Sequence, residues 1–324
     1  MTKIIKLNPF YSEKVWGYEK WNLSTHRNGC STLVDTNENL HDYLQKDLPI
    51  LIKIIKADES LSVQVHPGDE FARKYENDNG KTECWYILEA EEGASLICGI
   101  KDGLNKEKFA KILEEGSVAD YLGDISVKAG DMIYIPAGTI HAIKGGIKLL
   151  EVQQSSDVTY RLYDWGRDRE MHIEKALEVI DYNPETNGGK IENFTKLETP
   201  YFNVEKIIVD GQYSDEVCGD FYTYTATKGC GVMKTDDQTI ILNPEETVYL
   251  PKGIKYTILS MQNNPTANFN CWVILLYTVK LHLYSYDTSI VKSIDLSLKI
   301  KVPSIPPIIA GIIQLNPNLS KGSA

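Results

Sequence analysis

The chain has 324 residues, 42% hydrophobic and 24% charged, with 34 basic against 45 acidic side chains and a net charge of −11. That length suits two domains, or one core with a satellite, and the composition is that of a soluble globular protein. A pI near 5.1 excludes a global attraction to nucleic acid or anionic membranes, so an anionic ligand needs basic groups gathered locally.

The start, MTKIIKLNPF, holds no apolar run of signal-peptide type. Short β-rich runs then dominate: LPILIKII (48–55), LSVQV (61–65), CWYIL (84–88), ASLICGI (94–100), MIYIP (132–136) and IKLLEVQ (147–153). Turn signals such as Pro67-Gly68, Asn79-Gly80 and Gly145-Gly146 separate them, a pattern of sandwiches and jelly rolls. Helical spacing interrupts it in three places: around Asn39 to Leu44, from Leu104 to Leu122, and from His172 to Tyr182, where Asn183-Pro184 ends it. The polar stretch Asn183 to Thr199 reads as an interdomain connection.

Strand signals return in YFNVEKIIV (201–209), FYTYTA (221–226), TIIL (239–242) and TVYLP (247–251). IYIPAGTIH (133–141) is echoed by VYLPKGIKY (248–256), so Pro136, Gly138 and His141 align with Pro251, Gly253 and Tyr256. The expected architecture is mainly β: a duplicated jelly roll (double-stranded β-helix) with short helical insertions. A metal-binding domain is expected over 1–182, a connection over 183–199, and a second, degenerate jelly roll with an atypical tail over 200–324. The run Cys271 to Val279 is too short to span a bilayer, and Ile300 to Ile313 is broken by Pro303, Pro306 and Pro307. The six cysteines, Cys30, Cys84, Cys98, Cys218, Cys230 and Cys271, form no C-x-x-C pair. That argues against a thiolate zinc site and for a reduced, cytoplasmic protein.

The chemistry-bearing residues cluster in the first half. Gly130 to His141 has the form G-x5-P-x-G-x2-H, in which glycine and proline shape a tight turn and the histidine returns on the next strand. Gln64 and His66, two apart in a strand, face one side, and Glu83 opens the next strand. One Gln, two His and one Glu make a mixed oxygen–nitrogen set that suits zinc. Lys53, Lys81, Arg161 and Arg167 are the cations nearest these motifs. They can form a local anion site; the alternative for any one of them, Lys53 and Arg167 included, is a solvated surface charge, and Trp16 could equally be core packing.

The turn from Gly130 to His141 resembles a conserved motif of the cupin superfamily. Several further signatures in order resemble the type I mannose-6-phosphate isomerases, in their short bacterial form. They are Lys14-Val-Trp16-Gly17, Trp21-Asn-Leu-Ser-Thr-His-Arg-Asn-Gly29, Leu61-Ser-Val-Gln-Val-His-Pro67, Gly80-Lys-Thr-Glu-Cys-Trp-Tyr86, Pro136-Ala-Gly-Thr-Ile-His141 and Glu151-Val-Gln-Gln-Ser-Ser-Asp-Val-Thr-Tyr-Arg161. The resemblance covers roughly residues 8 to 260. It implies reversible isomerisation of mannose 6-phosphate and fructose 6-phosphate, by metal-assisted proton transfer through an enediol. It also implies one zinc ion per chain on Gln64, His66, Glu83 and His141, an active-site Arg161, and Lys81 beside the ligand glutamate. Trp16, Lys53, Ser62 and Arg167 are implied as further substrate-binding positions. Lys81 and Asp157 are candidate bases, with a metal-bound water or a pocket histidine open. The partner expected is a small sugar phosphate, met by a monomer or weak homodimer with no nucleic acid or membrane partner. A non-enzymatic sugar-phosphate-binding cupin is the rival reading. A cupin oxygenase is a third, poorly served by Gln64 in place of a His-rich set.

Overall fold

The run Ile50–Ala57 shows how the molecule is layered. Side chains alternate across a strand. Ile50, Ile52 and Ile54 join one apolar cluster, while Ile55 and Ala57 join another on the opposite face. Cys84 and Tyr86 part from Trp85 and Ile87 in the same way, and Leu150 and Val152 from Ile147 and Leu149. These strands are covered on both faces, which is why they read as near-continuous apolar runs. The computed structural model describes residues 3–261 and the backbone of 271–277.

Two antiparallel sheets form the first jelly roll. The larger runs Gly189–Ile191, Met132–Ile135, Glu83–Ala90, Ile147–Gln154, Ile50–Ala57, Gly17–Leu23 and Phe10–Lys14. Facing it are Leu122–Ser126, Ser95–Ile100, His141–Ile143, Val63–Val65 and Tyr160–Tyr163. Between them lies a core of Trp85, Leu96, Ile133, Leu149 and their neighbours. The helices Lys106–Glu114 and Ile173–Val179 pack outside the smaller sheet, through Phe109, Ile112 and Ala176 against Val63, Val65 and Ile140. The early helix is Leu40–Leu44, with Asn39 as its cap accepting from the His41 amide. A further helix, Asp69–Tyr75, has no counterpart in the sequence reading. Its apolar stripe is only one turn long, and the Pro67-Gly68 ahead of it reads as a turn.

The second jelly roll repeats the plan with sheets of seven and four strands. Its large sheet contains Asn203–Val209, Phe221–Lys228 and Thr247–Pro251, and the strand Cys271–Tyr277 lies between the first two. The β structure of this half therefore runs past Met261, beyond the point where the sequence pattern is legible. The first strand of the chain, Ile5–Asn8, pairs with Thr247–Tyr249 and so belongs to the second roll's sheet. One apolar cluster unites both halves, joining Leu23, Ile50, Ile52 and Leu150 with Phe202, Phe221 and Tyr249. The tail singled out in the sequence, including Ile300 to Ile313, lies outside the described residues. Among those residues no helix is long and apolar enough to cross a membrane.

Candidate metal centre and substrate cavity

Strand register assembles the centre. His141 stands opposite Gln64, and Gln64 opposite Arg161, in neighbouring strands of the smaller sheet. Glu83 comes from the facing sheet, opposite Ile135 and Gln153. One donor atom from each of His66, Glu83 and His141 falls within 4.8 Å of the others, and all three side chains are buried. The turn in the Gly130–His141 segment delivers this. Gly138 has φ +90°, and its amide donates to the carbonyl of His66 at 2.9 Å, tying one histidine's backbone to the loop that leads to the other.

Both imidazoles have fixed tautomers. His66 Nδ1 lies 2.8 Å from the Val158 carbonyl and His141 Nδ1 lies 2.9 Å from the Thr139 carbonyl. A carbonyl only accepts, so each Nδ1 carries the proton and each Nε2 presents a lone pair. The two Nε2 atoms lie 3.1 Å apart. Glu83 Oε1 is 3.3 Å from His141 Nε2 and has no hydrogen-bond partner. The Gln64 amide is 3.3 Å from the same Nε2, and a half-turn of that amide exchanges its nitrogen for its oxygen. Three buried electron-rich atoms facing one another, with an amide at their edge, fit a divalent cation. Burial first, then Lys81, lowers both histidine pKa values, His141 to about 3, which keeps the rings neutral as ligation requires.

A cavity of about 290 Å³ opens beside this cluster. Of the residues singled out in the sequence, Trp16, Lys53, Ser62, Gln64, Lys81, Asp157 and Arg161 line it. Lys81 Nζ donates to His66 Nε2 at 2.9 Å and to Glu83 Oε2. Lys53 is buried, 3.6 Å from Glu151 and 3.7 Å from Glu19, with its ammonium 4.6 Å above the Trp21 ring. Burial alone would depress the Lys53 pKa, but the two carboxylates outweigh it and raise it. Asp157 is exposed at the rim and accepts from Asn28 at 3.0 Å. Trp16 is buried in the barrel core as well as lining the cavity. Arg167 is the exception. It is turned away to the Ser60 carbonyl and to Asp164, and Arg169 lines the cavity instead.

Glu151 also lines the cavity and went unmarked in the sequence reading. Trp85 fixes its Oε2 at 2.9 Å, while its Oε1 has no hydrogen bond. Burial first, then Glu83, raises its pKa. The signal was present: Ile147, Leu149 and Glu151 share one face of a strand whose apolar members fill the barrel. In the second jelly roll, Tyr256 is buried and its hydroxyl meets that of Tyr224. A phenol pair thus stands at the position aligned with His141.

Residues 19–96 match the model of the phosphomannose isomerase type I catalytic domain. The chain is 34% identical over 298 residues to mannose-6-phosphate isomerase ManA of Bacillus subtilis, covering 78% of this chain and 94% of that one. It is 33% identical over 264 residues to the mannose-6-phosphate isomerase of Streptococcus mutans, covering 73% and 83%. A crystal structure of the mannose 6-phosphate isomerase from Bacillus subtilis superimposes with a TM-score of 0.74 at 26% identity, over 85% of this chain and all of that one. With relatives at this identity matched over most of their length, and with its duplicated jelly roll, the chain belongs to the type I phosphomannose isomerase family.

Proposed function

We propose that the chain interconverts mannose 6-phosphate and fructose 6-phosphate, with one zinc ion per chain held by Gln64, His66, Glu83 and His141. The observation that carries this reading is the convergence of two histidine lone pairs and an unpartnered Glu83 oxygen beside a cavity rich in cations. A zinc ion held there by Gln64, His66, Glu83 and His141 would supply Lewis acidity toward the sugar carbonyl, making the adjacent C–H more acidic. The proton then passes between C1 and C2 through an enediol. Glu151 is the carboxylate best built to carry it: one oxygen is anchored by Trp85, the other is free, and burial makes it a stronger base. Lys81 and Lys53 hold positive charge beside it, at 4.0 and 3.6 Å.

Arg161 balances the charge of the enediolate. Its Nε is buried without a hydrogen-bond partner, and its Nη1 is held by the Glu170 carbonyl at 2.5 Å. Asp157, oriented by Asn28, meets a sugar hydroxyl, and Trp16 and Ser62 form the wall. The reading includes a small sugar phosphate as partner of a cytoplasmic protein, monomeric or weakly dimeric; the net charge of −11 gives nucleic acid and anionic membranes no global attraction.

A coupled assay for fructose 6-phosphate, run with and without chelator and beside elemental analysis, tests the reading. Turnover that is lost on chelation and restored by zinc, at about one metal per chain, is the expected result. Tight binding of mannose 6-phosphate with no turnover after zinc is restored would establish the binding-protein alternative.

A further inference from the structure

The segment from Asp164 to His172 does two jobs that the reaction steps above leave unexplained. Asp164 is fully buried, and its carboxylate gathers two guanidinium groups. Arg169 donates to it through Nε and Nη2, at 2.5 and 2.6 Å, and Arg167 Nη2 approaches at 3.0 Å. The same segment clips the strand entry that precedes Gln64 and His66. Arg167 Nη2 donates to the Ser60 carbonyl, and Trp165 Nε1 donates to the Leu61 carbonyl at 2.6 Å. Trp165 stands at φ +54° and Gly166 at +81°, the left-handed pair that reverses the chain.

The return leg brings Arg169 to Arg161. The Arg161 amide lies 3.2 Å from His172 Nδ1, the His172 amide donates to the Arg161 carbonyl at 2.9 Å, and Arg161 Nη1 donates to the Glu170 carbonyl. Arg161 and Arg169 therefore line the same cavity from adjacent, mutually bonded segments. Their proximity, after burial, lowers the Arg161 pKa. Asp164 occupies Nε and Nη2 of Arg169, which leaves its Nη1 without a protein acceptor among the described residues. Arg161 has its own buried, unpartnered Nε and no carboxylate within ion-pair distance among those residues. Three guanidinium groups thus share one buried carboxylate, with the exposed Glu59 near Arg167, at 3.8 Å, and the exposed Glu170 near Arg161.

We infer that Arg169, locked by Asp164, supplies the guanidinium subsite for the phosphate monoester of the substrate, next to the Arg161 that faces the enediolate, and that Arg167 buttresses the loop without touching the ligand. A guanidinium with a donor to spare is suited to a phosphate dianion, whose oxygens accept from its planar fork. Asp164 is a positioning residue. A single carboxylate shared by two arginines fixes the Arg169 fork while leaving positive charge for the ligand. This inference deepens the isomerase reading and rests on it for the identity of the substrate.

The test uses the metal-loaded full chain, with inorganic phosphate as a competitive inhibitor and as a calorimetric titrant. Arg169→Ala is expected to raise KM for mannose 6-phosphate by about tenfold or more, to weaken phosphate binding by a similar factor, and to lower kcat far less. Arg169→Lys should recover part of the loss, since an ammonium keeps the charge but not the fork. Asp164→Asn should raise KM less than Arg169→Ala does, and Arg167→Ala should leave phosphate binding unchanged. The inference is overturned by phosphate binding that ignores Arg169→Ala, by a loss that follows Arg167 instead, or by a collapse of kcat at constant KM. Calorimetry keeps the two readings apart. If wild-type protein binds phosphate through Arg169 yet turns nothing over, the isomerase reading fails and the subsite stands.

Discussion

Lys53 and Glu151 face each other across neighbouring strands, between Trp21 on one side and Trp85 on the other. A row of two aromatics enclosing an ion pair inside a barrel is costly for stability, because each charge gives up hydration. The proposed reaction uses what that cost creates, a carboxylate whose pKa lies above its usual 4.5. The sign of the pH dependence follows. Glu151 must be ionised to accept the substrate proton, so kcat/KM should fall as pH drops through that raised pKa, giving an acid limb above the ordinary glutamate range. Glu151→Gln should remove the limb and lower kcat by about 10²–10⁴-fold while metal content stays level. A pH–rate profile beside elemental analysis decides it; an unshifted limb in the glutamine variant would assign the base elsewhere. The sequence announces the proposed metal ligands more clearly than the proposed base. Gln64, His66, Glu83 and His141 sit in motifs punctuated by Pro67, Gly80, Pro136 and Gly138. Glu151 is embedded in an apolar run, and only knowing which strand face fills the barrel separates it from a surface charge. Arg169 lies in a loop with no periodicity, and Arg167, two residues earlier, draws the eye first.

At the scale of elements, strand existence was largely legible and strand partnership was not. The runs at 48–55, 84–88 and 147–153 correspond to Ile50–Ala57, Glu83–Ala90 and Ile147–Gln154. Their β-branched composition and turn punctuation suffice for that. Pairing depends on closure of the whole roll, so the placement of Ile5–Asn8 beside Thr247–Tyr249 has no local signal. One turn can be tested alone. Gly138 holds φ +90°, and a Cβ there would lie 3.0 Å from the Val179 carbonyl oxygen, at the end of the helix Ile173–Val179. Gly138→Ala should therefore destabilise by about 1–3 kcal/mol through backbone strain and crowding. Because the Gly138 amide holds the His66 carbonyl, metal retention should weaken together with stability. Denaturant melts and metal competition on the same variant measure both; full stability at weakened retention would mean that the turn matters only for ligation.

For the whole molecule the decisive feature is the cluster that joins the two large sheets. Leu23, Ile50, Ile52, Ile54, Leu150 and Val152 of the first roll share it with Phe202, Val204, Phe221 and Tyr249 of the second. Burying a side chain of this size contributes about 1.5–3 kcal/mol. Exposing six of them would forfeit on the order of 10 kcal/mol, comparable to the net stability of a domain. Polar contacts cross at the same place: Glu245 meets Lys148, accepts from Lys20 at 2.9 Å, and its carbonyl accepts from Asn22 at 2.6 Å. The residues that form the catalytic cavity all come from the first roll, yet Lys53 and Glu151 lie on strands whose outer faces are covered by the second. We propose that the second roll is a structural support for the cavity, and that the connection expected over residues 183–199 separates sequence repeats without separating folding units. A chain cut to residues 1–199 should fail to fold cooperatively and should hold zinc weakly, whereas the full chain should unfold both rolls in a single transition. Scanning calorimetry and zinc content of the two chains test this. A soluble fragment with a sharp melt and one bound zinc would show two independent domains, and the second roll would then need another purpose.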